Sequence, residues 1–470
     1  MKPKKQREKF RVTIESLDQE GRGVAHRDGK VVFIEGGLPG EFVEYERYRN
    51  KESFEMGLTT DIFTESSLRV TPKCKYFGVK DGSCGGCAMQ HLEAQSQVAM
   101  KQKTLMDGLW HIGRVRPERI LPPIYGSPWK YRQRARLSVR DVAKKNDVLV
   151  GFHEKRSSFI ADMKSCEILP QAVSDLLVPL RALICSMDLR KKIPQIEVAA
   201  TYDRIALVFR ILEPLTAGDK DKLHAFQDKY HVDVWLQPKG PETVYPMDPE
   251  NIDKLQLRHS ETGVSIAFKP TDFTQVNHAI NECMVSRALR LLKLEQTDKV
   301  ADFFCGLGNF TLPIAKRTRQ VWGIEGSEQL VERAKAGAVA NGVGDRASFT
   351  ARNLFTWTEE DWDKLWGDMD GIDKVLIDPP REGAMALCES LAKTDKRPSI
   401  LVYVSCNPAT LARDCNILCN QGGWKLKAAG VMNMFPHTAH VESIAWFEPG
   451  ERPEQVEAAE EQTETAETAE

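Results

Sequence analysis

Val300-Ala-Asp-Phe-Phe-Cys-Gly-Leu-Gly-Asn309 joins a short apolar run to a glycine-rich turn, and an apolar helical pattern follows it. A buried strand, a sharp turn and a helix in this order are typical of α/β folds that bind nucleotides. Three more short apolar runs follow, at 321–324, 375–377 and 400–404. These runs predict the parallel strands of a doubly wound, Rossmann-like sheet, because strands buried on both faces are apolar throughout.

The glycine-rich turn predicts a site for a nucleoside cofactor. Gly306 and Gly308 let the backbone turn sharply and approach a ligand closely. Glu325 ends the next strand, where a carboxylate can accept hydrogen bonds from both hydroxyls of a ribose. Thr311 stands where a dinucleotide fingerprint has its third glycine, which counts against NAD. The pattern favours a cofactor without a pyrophosphate, and a plain strand-loop-helix turn is the alternative.

Two later strand ends carry candidate catalytic groups. Asp378-Pro-Pro-Arg381 puts a carboxylate at the C-terminal edge of the sheet, where doubly wound folds bind their ligands. Cys406 ends the following strand, and Asn-Pro then begins a helix. A thiol near a helix N-terminus can have a lowered pKa, and the thiolate is the nucleophilic form. We therefore expect Cys406 to be a nucleophile beside the cofactor.

A third candidate group comes from His437-Thr-Ala-His440-Val-Glu442, which precedes an apolar strand-like run. We expect Glu442 to reach the same sheet edge as Cys406 and to act as a general base. A solvated glutamate on a strand face is the alternative. The two histidines could instead form a metal pair, but the sequence offers no third ligand nearby.

The chain is predicted to be multidomain. Residues 1–66 show short alternating runs separated by glycine turns, which predict a small β-barrel of the OB type. A mixed pattern at 67–275 predicts an α+β central domain, and residues 276–450 form the doubly wound domain. Residues 451–470 are rich in glutamate and have no aromatic side chains, so we expect a disordered acidic tail.

The charge balance permits a nucleic-acid partner. The tail holds eight Glu and one Arg and so has a net charge of −7. Because the whole chain has a net charge of −2, the remaining residues carry about +5. No apolar run is long enough for a membrane helix, and the start is basic and polar without an apolar signal region. We therefore expect a cytoplasmic protein.

Four of the eleven cysteines are candidate metal ligands. Cys84-Gly-Gly-Cys87 has metal-ligand spacing, and Cys74 and Cys166 complete a set of four thiols. Four thiolates suit either zinc or a [4Fe-4S] cluster, and the spacing does not choose between the two. Four unrelated thiols are the alternative.

A basic stretch at 129–140 predicts contact with RNA. It carries five positive charges and no negative ones, with two aromatic rings at its start, Trp129 and Tyr131. On a strand its alternating cations would share one face beside stacking surfaces. A solvated strand face is the alternative. The cations of that face would be Lys130, Arg132, Arg134 and Arg136.

Together these motifs resemble the RNA 5-methyluridine methyltransferase family, over nearly the whole chain. The resemblance implies transfer of a methyl group from S-adenosylmethionine to C5 of a uridine, with Cys406 attacking C6 and Glu442 as the base. Related cytosine-5 enzymes carry a second cysteine where this chain has Pro380 and Arg381, which favours uridine. The matching stretches are Asp302-Phe-Phe-Cys-Gly-Leu-Gly-Asn-Phe-Thr311, Asp378-Pro-Pro-Arg381, Ser405-Cys-Asn-Pro408 and His440-Val-Glu442. By the same matching, the S-adenosylmethionine site would be formed by Gln275, Phe304, Asn309, Glu325, Asn353 and Asp378.

The resemblance also bears on the N-terminal half. Family members with such a cysteine set carry a [4Fe-4S] cluster, so it implies iron rather than zinc. Those that also have an N-terminal TRAM barrel act on 23S ribosomal RNA, and we expect a monomer that binds this RNA with the target uridine flipped out. The interval from Cys74 to Cys84 is longer than the family pattern, which leaves open whether Cys74 is a ligand.

Three other functions stay open at this point. The same chemistry could act on another uridine, in ribosomal RNA or in tRNA, although a tRNA enzyme of this kind would normally lack the barrel and the cysteine set. A non-catalytic RNA-binding protein is possible, but it would have no use for Cys406 and Glu442 together. A radical mechanism is disfavoured, because the cysteine spacing does not match the compact triplet of radical enzymes.

Overall fold

The computed structural model describes residues 7–452, which fold around three extended β-sheets and one β-hairpin. The acidic tail predicted at 451–470 lies almost wholly outside the described residues. None of the helices within 7–452 has the length and apolar character needed to cross a bilayer.

The first sheet curls into a small barrel, as predicted. Its strands are β1 (Lys9–Thr13), β2 (Ser16–Leu17), β3 (Gly23–Arg27), β4 (Lys30–Glu35), β5 (Phe42–Asn50) and β6 (Phe54–Thr64). They lie in the order β1-β5-β6-β4-β3-β2. The backbone N–H of Glu15 donates to the carbonyl oxygen of Val24 over 2.8 Å and brings the end of β1 onto β3. Alternate residues of the strands point inward, so the barrel has a small apolar core of its own.

A cysteine-rich segment without regular structure follows the barrel and leads into a long helix. This helix is α1 (Ala94–His111), and the short edge strand β7 (Arg119–Ile120) comes after it. The Glu93 carboxylate accepts a hydrogen bond from the N–H of Ser96 over 2.7 Å and caps the start of α1.

The central sheet has the order β13-β12-β11-β10-β8-β9, and three helices accompany it. A separate hairpin of two strands lies between it and the C-terminal sheet in the chain. The elements are β8 (Arg134–Val142), β9 (Asp147–Gly151), α2 (Gln171–Asp175), α3 (Leu177–Ser186), β10 (Gln195–Ala200), β11 (Ile205–Arg210), α4 (Ala217–Tyr230), β12 (Asp233–Gln237) and β13 (Tyr245–Pro246), followed by the hairpin β14 (Gln256–His259) and β15 (Val264–Ala267).

The C-terminal domain is an eight-stranded sheet with helices on both faces, and two apolar cores lie on its two sides. Its elements are α5 (His278–Leu292), β16 (Lys299–Phe303), α6 (Thr311–Ala315), β17 (Gln320–Glu325), α7 (Glu328–Ala340), β18 (Ala347–Ala351), α8 (Glu359–Asp368), β19 (Lys374–Ile377), α9 (Met385–Lys393), β20 (Ile400–Ser405), α10 (Pro408–Asn416), β21 (Trp424–Met432) and β22 (Glu442–Pro449). The strand order is β18-β17-β16-β19-β20-β22-β21-β7.

The topology of this sheet confirms the predicted doubly wound fold. The five strands from β18 to β20 are parallel, and the four predicted apolar runs are four of them. β22 enters between β20 and β21 and runs antiparallel to both. The parallel strands therefore end at one edge, and β22 starts at that same edge.

Helix α1 packs on the C-terminal domain although it belongs to the range 67–275. Its buried side chains Val98, Leu105 and Leu109 join the core on one face of the eight-stranded sheet, and β7 extends the edge of that sheet. They do so because they form one apolar stripe along the helix. The cysteine-rich segment is therefore followed by a helix that contacts the C-terminal domain directly.

Candidate active site

The glycine-rich loop after β16 has the backbone shape that the sequence predicts. Gly306 and Gly308 have φ angles of 56° and 91°, in the left-handed region that favours glycine. A Cβ atom on Gly306 would meet nothing within 4 Å, so the loop faces open space there. A Cβ atom on Gly308 would approach Cγ of Leu312 to 2.9 Å, so only glycine lets helix α6 pack this closely.

Glu325 links the glycine loop to the turn before α7 through its two carboxylate oxygens. Oε2 accepts a hydrogen bond from the N–H of Gly306 over 3.0 Å, and Oε1 accepts one from the N–H of Ser327 over 3.1 Å. Each carboxylate oxygen has a second lone pair, so Glu325 can still accept hydroxyl donors from a ligand. The residue that the sequence suggested for a ribose thus also shapes the loop.

Asp302 supports the same loop from its buried side through a hydrogen bond to Thr311. This role was not predicted from the sequence. Asp302 is fully buried, and its Oδ2 accepts a hydrogen bond from the hydroxyl of Thr311 over 2.5 Å. Burial raises the pKa of Asp302 to about 8, and the nearby carboxyl of Asp378 adds to this. Thr311 therefore has a structural reason to replace the third glycine of a dinucleotide fingerprint.

The other predicted cofactor residues have different surroundings. Asn309 is held in a reciprocal amide pair with Asn281, at 3.0 Å in both directions, and its Oδ1 is also 3.1 Å from Nε2 of His259. Its side chain therefore already has protein partners. Gln275 is buried in the segment that precedes α5. Asn353 is exposed and caps a short turn through the N–H of Phe355, over 3.0 Å.

Two aromatic rings flank the open side of this site. Phe304 has a φ angle of 63°, and its ring meets that of Phe355 edge-on with the centroids 5.8 Å apart. Phe355 is 53% exposed, so its face is free to contact a ligand. A planar base could stack against such a surface.

Cys406 and Glu442 are brought together by strand register. Ser405 pairs with Ser443 where β20 and β22 run antiparallel, so Cys406 follows and Glu442 precedes this pair at the same edge of the sheet. The two side chains are close enough for the Glu442 carboxyl to act on the thiol. Asp378, at the end of the neighbouring strand β19, completes the group. The predicted convergence of these three side chains at one sheet edge is therefore observed.

The electrostatic environment of Cys406 differs from the expectation. Burial, and then the carboxyls of Glu442 and Asp378, raise the pKa of the Cys406 thiol to about 11, whereas Arg381 lowers it. The prediction of a lowered pKa at the start of α10 is wrong for the protein without ligands, because two acidic groups and desolvation outweigh the helix terminus.

The two carboxyl groups also hold their protons more tightly than usual. Burial raises the pKa of Asp378 to about 7. Burial, followed by the charge of Asp378, raises the pKa of Glu442 well above its ordinary value. Glu442 is only 2% exposed, and its Oε2 atom has no hydrogen-bond partner. A buried carboxyl with a raised pKa is a strong base once it is ionised.

The Asp-Pro-Pro-Arg turn is fixed to helix α10. The side chain of Asp414 accepts hydrogen bonds from the N–H of Ala384 at 2.8 Å and from the hydroxyl of Tyr403 at 2.6 Å. Asn407 and Thr410 donate to the carbonyl oxygen of Arg381 at 3.0 and 3.2 Å. The turn that carries Asp378 and the helix that follows Cys406 are thus one rigid unit.

The four predicted metal-binding cysteines lie around one cavity. Cys74, Cys84, Cys87 and Cys166 line it together with the apolar side chains of Phe77, Phe152, Met163 and Ile168. Burial raises the pKa of the Cys84 thiol to about 11 and that of Cys87 to about 12, and the neighbouring thiols contribute to both shifts. No three donor side chains within 7–452 already stand as the ligands of a metal ion. The donor set and the shared cavity nevertheless fit a metal that binds thiolates.

The basic stretch at 129–140 does not form one free face. The strand begins only at Arg134, whose guanidinium donates to the carbonyl oxygens of Pro270 and Asp272. Arg136 pairs with Glu197 over 2.9 Å. Arg134 is thus engaged with the segment before α5, whereas the partner of Arg136 lies on the neighbouring strand β10.

The doubly wound sheet, the open glycine loop and the cysteine–glutamate pair define a class, the Rossmann-like methyltransferases. A family model described as tRNA (Uracil-5-)-methyltransferase matches residues 96–449, and a TRAM domain model matches residues 3–44. The chain belongs to the tRNA (uracil-5-)-methyltransferase family, which confirms the resemblance and the fold class that the motifs predict.

Similar proteins cover almost the whole chain. The 23S rRNA (uracil(1939)-C(5))-methyltransferase RlmD of Nitrosospira multiformis is 56% identical over 94% of this chain and 99% of that protein. The protein of the same name from Bordetella avium is 55% identical over 93% of this chain and 90% of that protein. The crystal structure of Pyrococcus abyssi tRNA (uracil-54, C5)-methyltransferase in complex with S-adenosyl-L-homocysteine covers 93% of this chain and 100% of that chain, with a TM-score of 0.69 and 22% identity. This last likeness shows a shared fold.

Proposed function

We propose that this protein transfers a methyl group from S-adenosylmethionine to C5 of the uridine at position 1939 of 23S rRNA. The observation that carries the proposal is the proximity of Cys406, Glu442 and Asp378 at the edge where the cofactor loop opens. The relatives that share over half of the sequence are named for this reaction and this nucleotide. We further propose that it acts as a monomer in the cytoplasm.

Cys406 supplies the nucleophile in the proposed reaction. C5 of uracil is a poor nucleophile until C6 is substituted. Attack of the Cys406 thiolate on C6 forms a C–S bond and moves the electron pair of the C5–C6 double bond to C5, as an enolate. The pKa of the thiol is raised to about 11 in the protein alone, so the thiol must lose its proton as the uridine binds.

Glu442 completes the proposed reaction after methyl transfer. C5 then carries both a proton and the new methyl group. The Glu442 carboxylate takes that proton, the electron pair re-forms the C5–C6 double bond, and the C–S bond breaks to release the Cys406 thiolate. The burial of Glu442 keeps water away from the adduct and makes the carboxylate a stronger base.

S-adenosylmethionine supplies an electrophilic methyl group when it is bound. The residues proposed to hold it are those around the glycine loop. Glu325 has spare lone pairs for ribose hydroxyls, and the Phe304 and Phe355 rings offer a surface for the adenine. The remaining proposed residues of this site are Gln275, Asn309, Asn353 and Asp378.

Cys74, Cys84, Cys87 and Cys166 are proposed to hold a [4Fe-4S] cluster. Their thiols share a cavity with an apolar lining, and an iron cluster would stabilise the thiolate forms that burial alone disfavours. Zinc is the alternative metal. Metal analysis of protein purified without oxygen distinguishes them, since four iron atoms per chain are expected for the cluster and one zinc for the alternative.

Mass spectrometry of 23S rRNA from cells that lack this protein, before and after treatment with the purified enzyme, tests the proposed function. We expect one 5-methyluridine to return at position 1939, the position in the name of the relatives. Methylation at another ribosomal or tRNA uridine would keep the chemistry and refute the target. No transfer to any RNA would favour a non-catalytic RNA-binding protein.

A further inference from the structure

The Oε2 atom of Glu442 is buried and has no hydrogen-bond partner. No hydrogen bond to that oxygen orients the side chain. Its position therefore depends on the backbone at the start of β22. That backbone is the end of a loop, 433–441, that leaves β21 at Met432 and returns where Met432 pairs with Glu442.

Three side chains that are far from this loop in sequence form hydrogen bonds with it. We call them the clamp: Gln97, Lys101 and Tyr131. The Nζ of Lys101 donates to Oδ1 of Asn433 and to the carbonyl oxygen of Phe435, both over 2.8 Å. The hydroxyl of Tyr131 donates to the carbonyl oxygen of Pro436 over 2.9 Å.

Gln97 forms hydrogen bonds with His437, the loop residue that follows Pro436. The Oε1 of Gln97 accepts a hydrogen bond from the N–H of His437 over 2.8 Å, and its Nε2 lies 3.1 Å from Nδ1 of the same histidine. His437 has a φ angle of 63°, in a region that a non-glycine residue rarely adopts, so it needs such support. The ring of Trp129 covers it, with the two centroids 4.1 Å apart.

The backbone that follows Cys87 meets the loop at the same point. The N–H groups of Ala88 and Met89 donate to the carbonyl oxygen of His437 over 2.8 and 3.1 Å. The cysteine-rich segment and the loop that leads to Glu442 are therefore joined directly.

The clamp lies on the protein's interior. Gln97 and Lys101 are each 1% exposed and stand one turn apart on α1, on the stripe that continues with the apolar residues Leu105 and Leu109. Buried polar side chains on an otherwise apolar stripe are costly unless they are hydrogen-bonded. Within residues 7–452, the hydrogen bonds of Gln97 and Lys101 to the C-terminal domain are all made with the loop.

We propose that Gln97, Lys101 and Tyr131 are positioning residues that place Glu442 for removal of the C5 proton. This inference rests on the proposed function, because it assigns the clamp to the last step of that reaction. The clamp touches neither the thiol nor the glycine loop in any of these contacts, so earlier steps should depend on it less.

Covalent trapping tests the inference, with enzyme of the full chain in single turnover on an RNA fragment that contains the target uridine. In Lys101→Met, the misplaced base should slow release of the methylated RNA by about a hundredfold, as a displacement of about 1 Å can. A covalent enzyme–RNA adduct should then accumulate on a denaturing gel, while S-adenosylmethionine binding stays within about twofold of wild type. Tyr131→Phe removes a single hydroxyl and should trap adduct more weakly in the same way.

Lys374→Met is the matched control. Lys374 is also a buried lysine, 6% exposed, and it also donates to one side-chain oxygen and one carbonyl oxygen, those of Asp298 and Lys293. It makes no recorded contact with the loop within the described residues. This variant should lose thermal stability as Lys101→Met does but should accumulate no adduct.

The outcomes separate the inference from the proposed function. If Glu442→Gln traps adduct but neither Lys101→Met nor Tyr131→Phe does, the clamp has no role in positioning the base. Equal trapping in Lys374→Met would reduce the effect to general destabilisation and would also overturn the inference. If Glu442→Gln itself traps nothing, the assignment of the base fails, and the inference fails with it. Should Lys101→Met not fold, Tyr131→Phe decides.

Discussion

The hydroxyl of Ser443 donates to the carbonyl oxygen of Ser405 over 3.1 Å, and this contact ties the two strand ends that carry the proposed nucleophile and base. The same two residues are paired in the sheet register. Cys406 leaves β20 just beyond this pair, and Glu442 enters β22 just before it. The insertion of an antiparallel strand beside the last parallel strand is thus what brings a thiol and a carboxylate to one edge.

Replacement of Cys406 by Ala should abolish methyl transfer while leaving S-adenosylmethionine binding intact. The thiol faces Glu442 and Asp378, whereas the cofactor loop is shaped by Glu325. Calorimetric titration of the cofactor and a methylation assay on the target RNA measure the two properties separately. Retained turnover in this variant would rule out the covalent mechanism.

Replacement of Glu442 by Gln should stall the reaction after methyl transfer. The amide keeps the size of the side chain but cannot accept the C5 proton, so the C–S bond cannot break by elimination. We expect methylated RNA joined to the protein, detected as a slow band on a denaturing gel and as the summed mass of both components. Normal release of product would assign the base elsewhere.

The rate of adduct formation should rise with pH between about 6 and 9, since the reactive thiolate fraction grows about tenfold per unit below the thiol pKa. The pKa of the Cys406 thiol is raised to about 11, so the thiolate fraction is still growing throughout this range. Single-turnover rates at saturating substrate measure this. A rate that falls over the same range would contradict the protonation states assigned here.

Replacement of Glu325 by Gln should weaken S-adenosylmethionine binding by at least about tenfold. Both oxygens of Glu325 accept backbone N–H donors, and an amide would turn one N–H group toward another. Either the glycine loop at Gly306 or the turn at Ser327 would then lose its hydrogen bond to this side chain. Equilibrium dialysis measures the affinity, and a change confined to turnover would argue against the assigned role of Glu325.

Removal of metal from the anaerobically purified protein should lower its Tm and slow adduct release. Cys87 is followed at once by Ala88 and Met89, which bond the loop that leads to Glu442. A melting curve and the gel assay for adduct measure the two effects. A lower Tm with unchanged release would mean that the cysteine site stabilises the fold without affecting the base.

Much of the fold was readable because it depends on local pattern. The apolar runs at 300–304, 375–377 and 400–404 predicted parallel strands, and the glycines at 306 and 308 predicted the loop between β16 and α6. The order of strand ends along the chain then predicted that Asp378 and Cys406 share an edge, because parallel strands put all their C-terminal ends together. The family resemblance followed from the same residues.

Other features could not be predicted, because they depend on contacts between residues far apart in sequence. The sequence suggested that Arg134 is free to bind RNA. In the structure its guanidinium donates to the carbonyl oxygens of Pro270 and Asp272, which lie far away in sequence. The helix terminus suggested a lowered pKa for the Cys406 thiol, but burial of the thiol and then the carboxyls of Glu442 and Asp378 raise it. A sequence pattern carries no information on which groups will be neighbours after folding.

The sequence by itself determined the three sheets, the glycine loop and the identity of the groups available for chemistry, since strand pattern, turn type and side-chain reactivity are local properties. Only the tertiary structure decided which of those groups meet. It placed Glu442 near Cys406, because the pairing of Ser405 with Ser443 brings both strand ends to one edge. It also placed Lys101, more than three hundred residues away, against the loop that leads to the base. Burial and register arise only when the sheets pack, and for that reason the electrostatics and the supports of the site appear only in the folded chain.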